Sequence, residues 1–465
     1  MNLPSNTEVK HIHEAPQPAV LTDRIDIIDI IRGVALLGIL ILNIPYFSMP
    51  EYFSEPWVQD TGNVNFWTHA VNIILFEGKM RALFSLVFGA GIVLFTSKKE
   101  KTGKSVTWLF YKRMIWLTLF GLAHAHLILW VGDILYFYGL IGMLAYLFRK
   151  MKPKYLALGV PIVAIIGFVA NTLFMQDIRG KYLEFKEANS LQEQGTALTD
   201  SQTAAIETWK ELQREYIPNP EEVAENTALM KGSYSEVASF VRPKAWDGQF
   251  KFLVFSIWDM LALMMLGIAL FKWGFLTMKW TQAQYKKTIW VGYGIGLPLV
   301  IFSFIYNTIH FPNVEAGLKY IEEHSINWVS LIYDFQRILI MMAHVSVVIL
   351  VYQKGYFKWV MNALRAVGQL AFTNYVMHSV ICTLVFFGYG LNQFAEWEYY
   401  QLYFLVLGIW IFQLVISPIW LKKYLFGPLE WGWRSLTYGR IQPFRRKEIL
   451  ESKEVKLETA GNFKV

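Results

Sequence analysis

Two histidines and one aspartate stand inside the apolar stretch Gly121–Gly139, GLAHAHLILWVGDILYFYG, part of a longer run from Trp108 to Phe148. The run is too long for one membrane crossing and suits two, with the turn at Trp130-Val131-Gly132-Asp133. At ~1.5 Å rise per residue, His124 then lies roughly 9 Å below Trp130. An aspartate at membrane depth costs roughly 2.5–3.5 kcal/mol on insertion scales, so an ionisable residue there is read first as functional. His124 is placed to act as a general base, with Asp133 or Glu77 as its partner. The competing account is that Asp133 makes the turn and the histidine is a satisfied polar residue at a helix end. His124 and His126 are two apart and point to different faces, so they cannot share a metal on that helix, and no metal site is expected.

Other polar groups fall at comparable depth. Asn43, Asp259, Asn374 and His378 lie within apolar segments, and His310 lies at the end of one. Asn374 and His378 are four apart and share a helix face, while Asp334, Arg337 and His344 form one stripe. Asp334 and Arg337 are expected to neutralise each other as a structural pair. Asp29 and Arg32, three apart near the start of the first apolar segment, are neighbours on one helix surface. Together the groups suggest a polar cavity open to the outside, suited to acid–base work on a hydroxyl or to moving a solute.

The elements that must position them are membrane helices. The chain has 465 residues, of which 54% are hydrophobic and only 17% charged, outside the norm for soluble domains. Its apolar segments are roughly 18–25 residues long, enough to span ~30 Å of hydrocarbon as helices, and no alternating ten-residue strands suggest a barrel. The reading is an all-α membrane protein with about ten transmembrane helices and one extracytoplasmic helical cap. The spans are read near 30–47, 80–97, two within 108–148, 155–175, 251–271, 288–311, 326–352, 368–390 and 400–421. Residues 66–76 form a short interfacial helix before the second span. The Gly292-Tyr-Gly294-Ile-Gly296-Leu-Pro298 run is read as a kink.

The domains follow: a disordered cytoplasmic tail over 1–25, an N-terminal membrane region over 26–175, a soluble insertion over 176–249, a C-terminal membrane region over 250–440, and a charged tail over 441–465. Within the insertion two helices are expected, Ser201–Tyr216 and Pro220–Lys231, the second with Asn219 as N-cap and Gly232 past its end. The net charge of +7 comes from short basic clusters beside apolar spans, the positive-inside pattern, so nucleic acid is not a partner and the lipid bilayer is. With ten spans, both termini are cytoplasmic and His124, His126, Asp133 and Glu77 fall in the extracytoplasmic half. The single cysteine, Cys382, excludes an intrachain disulfide. The N-terminus lacks a signal-peptide core, and no nucleophile elbow, HExxH or CxxC is present.

Several blocks resemble the YeiB-like family of bacterial membrane proteins, whose C-terminal half is domain of unknown function 418. They are Asp29-Ile-Ile-Arg32-Gly33 through Asn43, Glu77-Gly-Lys79-Met-Arg81-Ala-Leu-Phe-Ser, Gly121-Leu-Ala-His124 with Gly132-Asp133, Gly368-Gln-Leu-Ala-Phe-Thr-Asn374, and Gly427-Pro-Leu-Glu430-Trp-Gly-Trp-Arg434. That family is itself similar to transmembrane acyltransferases, through the opening Asp-x-x-Arg-Gly and the apolar span after it.

The resemblance implies transfer of an acyl group from cytosolic acyl-CoA to an extracytoplasmic hydroxyl or amine of an envelope glycan or small metabolite. Acyl-CoA would be a co-substrate, with no bound cofactor, and the location would be the bacterial inner membrane. Where some of those enzymes carry a histidine after the first span, this chain has Asn43, and its next histidine is His69. His124 therefore stands as the base, with Asp133 and Glu77 completing the catalytic set. Asn43 and Asn374 are offered as oxyanion donors, and Asn43, Lys79, Arg81, Asn374, His378 and Asp259 as substrate contacts. Asp29, Arg32, Asp334, Arg337, Glu430 and Arg434 are given structural roles. The alternatives are a transporter or exporter of a small polar solute, suggested by the Gly-rich span and the intramembrane charges, and a non-enzymatic envelope protein.

Overall fold

A computed structural model describes residues 25–50, 60–100, 106–216, 219–251 and 253–446. The expected N-terminal tail, the acidic stretch 51–59, most of the basic turn before Trp108 and nearly all of the C-terminal tail lie outside them. Among the described residues the chain is helical and forms no strand.

Helix α1 (Asp26–Ser48) is followed by α2 (Val64–Val71), a π-helical turn Asn72–Phe76, and α3 (Lys79–Glu100). Then come α4 (Thr107–Leu127), α5 (Leu135–Leu147) and the 41-residue α6 (Pro153–Glu193). Helices α7 (Asp200–Tyr216), α8 (Pro220–Met230) and α9 (Tyr234–Lys251) lead into α10 (Leu253–Lys272). Next are α11 (Gln282–His310), α12 (Val314–Glu323), α13 (Val329–Gln353), α14 (Lys358–Gln369), α15 (Ala371–Phe386), α16 (Leu402–Lys423) and α17 (Pro428–Tyr438).

Six helical segments are long and apolar enough to cross a membrane, or eight when two bent helix pairs each count as one span. The α4–α5 hairpin does not reach that standard: α5 has only 13 residues, about 20 Å of helix, and α4 carries Lys112 and Arg113 in its first turns.

The local chemistry explains several boundaries. Asn219 accepts the Glu222 amide at 2.8 Å and Pro220 occupies the first turn of α8, as the sequence leads one to expect. Thr281 and Gln284 form a capping box that starts α11. The expected ninth span does not begin at Gly368. That residue closes the amphipathic α14, and the chain turns by 85° into α15. Its place is fixed by α1, because a Cβ on Gly368 would lie 1.8 Å from the Asp29 carbonyl oxygen. Helix α11 is continuous through Pro298. Its glycines admit α13, since a Cβ on Gly292 would meet the Leu339 carbonyl oxygen at 2.5 Å. Close helix packing thus accounts for the Gly-rich run.

Helix α6 runs without a break past the expected boundary at 175, and α9 runs through that at 249. The insertion therefore has two helical segments beyond those expected, the second half of α6 and α9. Trp209 of α7 packs 4.9 Å from the Tyr182 ring and 5.8 Å from that of Phe185 on α6. Arg179 donates to the Ile321 and Glu322 carbonyls at the end of α12.

Candidate functional site

The turn between α4 and α5 brings His124 and Asp133 together. Nδ1 of His124 stands 2.7 Å from Oδ1 of Asp133, and the histidine is 2% exposed. Oδ2 of Asp133 accepts the Tyr136 amide at 2.9 Å, which holds the first turn of α5. Because the carboxylate accepts, Nδ1 carries the proton, and Nε2 is left with its lone pair in the neutral ring. That Nε2 is buried and has no hydrogen-bond partner among the described residues. The Tyr375 ring lies 5.2 Å from the imidazole, and its hydroxyl accepts the Ile134 amide at 3.2 Å.

The segment between the two residues is conformationally unusual. Leu129 has φ +62°, the left-handed region that a bulky aliphatic side chain rarely occupies. Leu129 through Gly132 wall a cavity of about 290 Å³, whose other sides come from α1, α8, α9 and the chain after α15. Asn43, Asn226, Thr227 and Lys244 place polar groups among the apolar lining residues. Asn43 makes no hydrogen bond among the described residues. Pro45, two positions on, leaves the Ile41 carbonyl without its helical donor. Tyr403 reaches that carbonyl at 3.4 Å instead.

A single polar cavity shared by all the intramembrane groups is not what forms. Of the residues proposed from sequence only Asn43 lines this cavity; the others sort into separate clusters. Glu77 is not beside His124. It accepts from the Tyr333 hydroxyl at 2.9 Å, in a cluster where Arg337 bonds both Asp259 and Asp334 and Nε of Arg81 stands 3.2 Å from Asp259. Lys79, 1% exposed, spends its ammonium on the Ile73 carbonyl at 2.7 Å. His344 reaches the Leu75 carbonyl at 3.0 Å and takes a bond from Tyr293. The π-turn over Asn72–Phe76 supplies both of those carbonyls, a feature no residue pattern announced.

Asn374 is committed as well: its amide donates to the Val367 carbonyl and to Ser417. His378 bonds Gln413, whose amide in turn donates to the Asn374 carbonyl. Asp29 holds Arg32 at 2.6 Å, and Arg32 also reaches the Gly368 carbonyl, so this pair ties α1 to α14. Glu430 accepts from the Phe372 and Thr373 amides and from the Thr373 hydroxyl, binding α17 to the start of α15. Burial pushes its carboxyl up from the ordinary value, against those donors. Arg434 lies 4.3 Å over the Phe426 ring. His126 bonds Gln249 of α9. Among the described residues no three His, Cys, Asp or Glu side chains group as metal ligands.

The tyrosines were the residues missed from sequence. Tyr333 and Tyr375 complete two of these clusters, and Tyr138 bonds Ser85 at 2.6 Å between them. Each lies in an apolar segment where a tyrosine reads as another aromatic core residue. Only the expectation that a buried hydroxyl finds a partner separates it from phenylalanine.

Residues 270–440 match the family model described as a protein of unknown function, DUF418. Over 445 residues the chain is 27% identical to "Uncharacterized protein YxaH" of Bacillus subtilis (strain 168), covering 93% of this chain and 98% of the relative. It is 26% identical to "Uncharacterized protein YeiB" of Escherichia coli (strain K12), covering 90% and 97%. An "Uncharacterized 39.9 kDa protein in amylase 3'region" of Bacillus acidopullulyticus is 22% identical, covering 93% and 99%. No solved structure matches. These alignments cover 90% or more of this chain, which is similar to YeiB and YxaH over that length and matches DUF418 over residues 270–440.

Proposed function

We propose that the protein is a membrane acyltransferase in which His124 is the general base. The observation that carries this reading is the His124–Asp133 pair, with Nδ1 fixed by the carboxylate and a buried Nε2 that bonds no group among the described residues. In the reaction, Nε2 takes the proton from an acceptor hydroxyl or amine as that atom attacks the thioester carbonyl of an acyl-CoA. The tetrahedral oxyanion collapses, the C–S bond breaks, and the leaving thiolate takes the proton back from the imidazolium. Ester or amide and free CoA result. Asn43, uncommitted and lining the cavity beside the Leu129–Gly132 turn, is the oxyanion donor of this scheme. A strained residue in that turn fits a segment that must shift to bring substrate to His124.

In this reading the α4–α5 hairpin completes ten crossings, adding two to the eight that length and composition support. The termini are cytoplasmic, the membrane is the bacterial inner membrane, and α7–α9 cap the outer face over the cavity. The acceptor is an envelope glycan or small metabolite.

The test is to incubate purified protein with labelled acetyl-CoA and a panel of hydroxyl and amine acceptors. Wild type should release CoA, and His124→Ala should lower the rate roughly 10²–10⁴-fold, the usual share of a general base. Wild-type inactivity, or an unchanged His124→Ala rate, overturns the assignment. One observation favours a transporter instead: the cluster of Arg81, Asp259, Asp334 and Arg337 across α3, α10 and α13 resembles an intramembrane charge relay. Solute uptake into proteoliposomes that is lost in Asp259→Asn would select that reading.

A further inference from the structure

The cavity beside the Leu129–Gly132 turn is built rather than left over. Protein interiors hold few voids larger than a water molecule, yet about 290 Å³ stays open here while hydrogen bonds tie its walls together. The Gly388 amide donates to the Met230 carbonyl at 2.9 Å, joining the chain after α15 to the end of α8. The Ala395 amide donates to the Ser48 carbonyl at 2.7 Å, joining that same chain to the end of α1. From α9, Tyr234 and Arg242 donate to the Leu127 and His126 carbonyls at 2.8 and 3.0 Å. Phe47 stacks on Trp130 with 3.7 Å between ring centroids, which fixes the turn against α1. Tyr46 lines the cavity and is 62% exposed, so the space reaches the surface at that end of α1.

Its chemistry selects a ligand. The lining is mainly aliphatic and aromatic, with polar groups from Asn43, Asn226, Thr227 and Lys244. Thr227 spends its hydroxyl on the Val223 carbonyl at 2.7 Å. The Asn43 and Asn226 side chains bond no group among the described residues, and each offers an acceptor oxygen and two donors. Lys244 is the one charged side chain among the described lining residues, and no carboxylate is among them. A sugar carries a hydroxyl on nearly every carbon and would strand most of them against these walls. An ammonium group would enter beside a lysine with no carboxylate to receive it. Of the acceptors open to the acyl-transfer reading, an apolar body with one hydroxyl suits both the walls and the amides.

We infer that this cavity is the acceptor site and that the acceptor is a hydrophobic alcohol, a compact apolar body bearing one hydroxyl. The inference rests on the acyl-transfer reading and narrows it. The alcohol oxygen becomes the ester oxygen, and its proton passes through Nε2 of His124 to the departing CoA thiolate. Asn226 is the contact that selects the hydroxyl.

The experiment separates binding from chemistry. Full-length protein in phosphatidylcholine nanodiscs is photolabelled, without acyl-CoA, by octanol carrying a diazirine, and the modified peptides are identified by mass spectrometry. Label should fall on the Leu129–Gly132 wall and on α8 and α9, and plain octanol should protect those peptides. Octane, which lacks the hydroxyl, should protect about tenfold less well, the share of one hydrogen bond. Octylammonium should protect no better than octane. Val223→Trp, which fills the cavity, should remove the protectable label, and Ile162→Trp on the exposed face of α6 should not. If Val223→Trp does not fold, Asn226→Leu decides, because it should erase the preference for octanol over octane. Label spread over the lipid-facing helices without protection, octylammonium protecting as well as octanol, or an unchanged pattern in Asn226→Leu overturns the inference. CoA release with sugar acceptors and no octanol site removes this inference alone. A protectable octanol site in a protein that releases no CoA rejects the acyl-transfer reading and leaves the cavity as an alcohol-binding site.

Discussion

Asp133 ties His124 to the first turn of α5, with one carboxylate oxygen 2.7 Å from the imidazole Nδ1 and the other taking the Tyr136 amide at 2.9 Å. The same side chain thus makes a turn and orients a ring, so the two accounts open from sequence are not exclusive. The arrangement is crowded enough to demand Gly121, where a Cβ would fall 2.2 Å from the Tyr136 nitrogen and 2.6 Å from Oδ2 of Asp133.

Substitution at Asp133 separates the two roles. Asp133→Asn keeps a carbonyl oxygen for the Tyr136 amide and turns its NH₂ toward Nδ1, which must then accept. The ring proton moves to Nε2, the tautomer that cannot act as a base. Thermal unfolding should shift little, by under about 1 kcal/mol, while CoA release falls as far as in His124→Ala. Asp133→Ala strands two buried donors and should lose about 1–3 kcal/mol of stability as well. Equal stability losses in both variants would leave Asp133 with a purely structural role.

Arg337 is held by Asp259 of α10 and Asp334 of its own helix, and Asp259 is shared with Arg81 of α3. Removing the guanidinium alone leaves two carboxylates facing each other in a poorly solvated place. Arg337→Met should therefore destabilise by about 3 kcal/mol, the lower end for a broken buried pair because Asp334 is partly exposed. Adding Asp259→Asn should recover part of that loss. Thermal melts of both variants in one detergent check the sign of the coupling, and a double variant worse than the single contradicts it.

Much of the helical frame was readable because length, apolar runs and caps are local signals. Asn219, Pro220 and Gly232 bounded α8 to within a residue, and the pairing of Asp29 with Arg32 followed from spacing alone. Contacts between distant segments were not readable in the same way. From sequence Glu77 and His124 were expected at similar depth, yet Tyr333 claims the carboxylate, and depth says nothing about which helices are neighbours. The break at Leu370 was hidden because Gly368 looks like any small residue until the Asp29 carbonyl lies against it. Nothing in the sequence marked Arg113, since its stack on Trp433 joins residues 320 apart.

Glu430 gives a pH dependence outside the spanning helices. Burial raises its carboxyl in the folded protein above the unfolded value. Its stabilising contribution is then fully present below the unfolded value and is lost as pH rises through the folded one. Glu430→Gln keeps an acceptor for the Phe372 and Thr373 donors but cannot ionise. Wild type should lose more stability than Glu430→Gln as pH is raised through and above the ordinary carboxylate range. Parallel melting curves across that range would show that ionisation of Glu430 does not matter to the α15–α17 junction.

The crossing of α1 and α14 is the tightest backbone approach near the opening motif. A Cβ on Gly33 would lie 2.2 Å from the Leu364 carbonyl oxygen, and one on Gly368 1.8 Å from that of Asp29. Both obstacles are main chain, so no rotamer change makes room and the helices themselves must part. Gly368→Ala should also stretch the Arg32 bond to the Gly368 carbonyl. Overpacking of this kind costs about 1–3 kcal/mol where side chains can adjust, and the larger figure applies here. Gly408→Ala is the matched control, because a Cβ on that α16 glycine meets nothing within 4 Å and alanine is the better helix former. Folded, monodisperse yield after detergent extraction should fall sharply for Gly368→Ala and hold for Gly408→Ala. Equal yields and equal melting temperatures would mean that α1 and α14 do not depend on this contact.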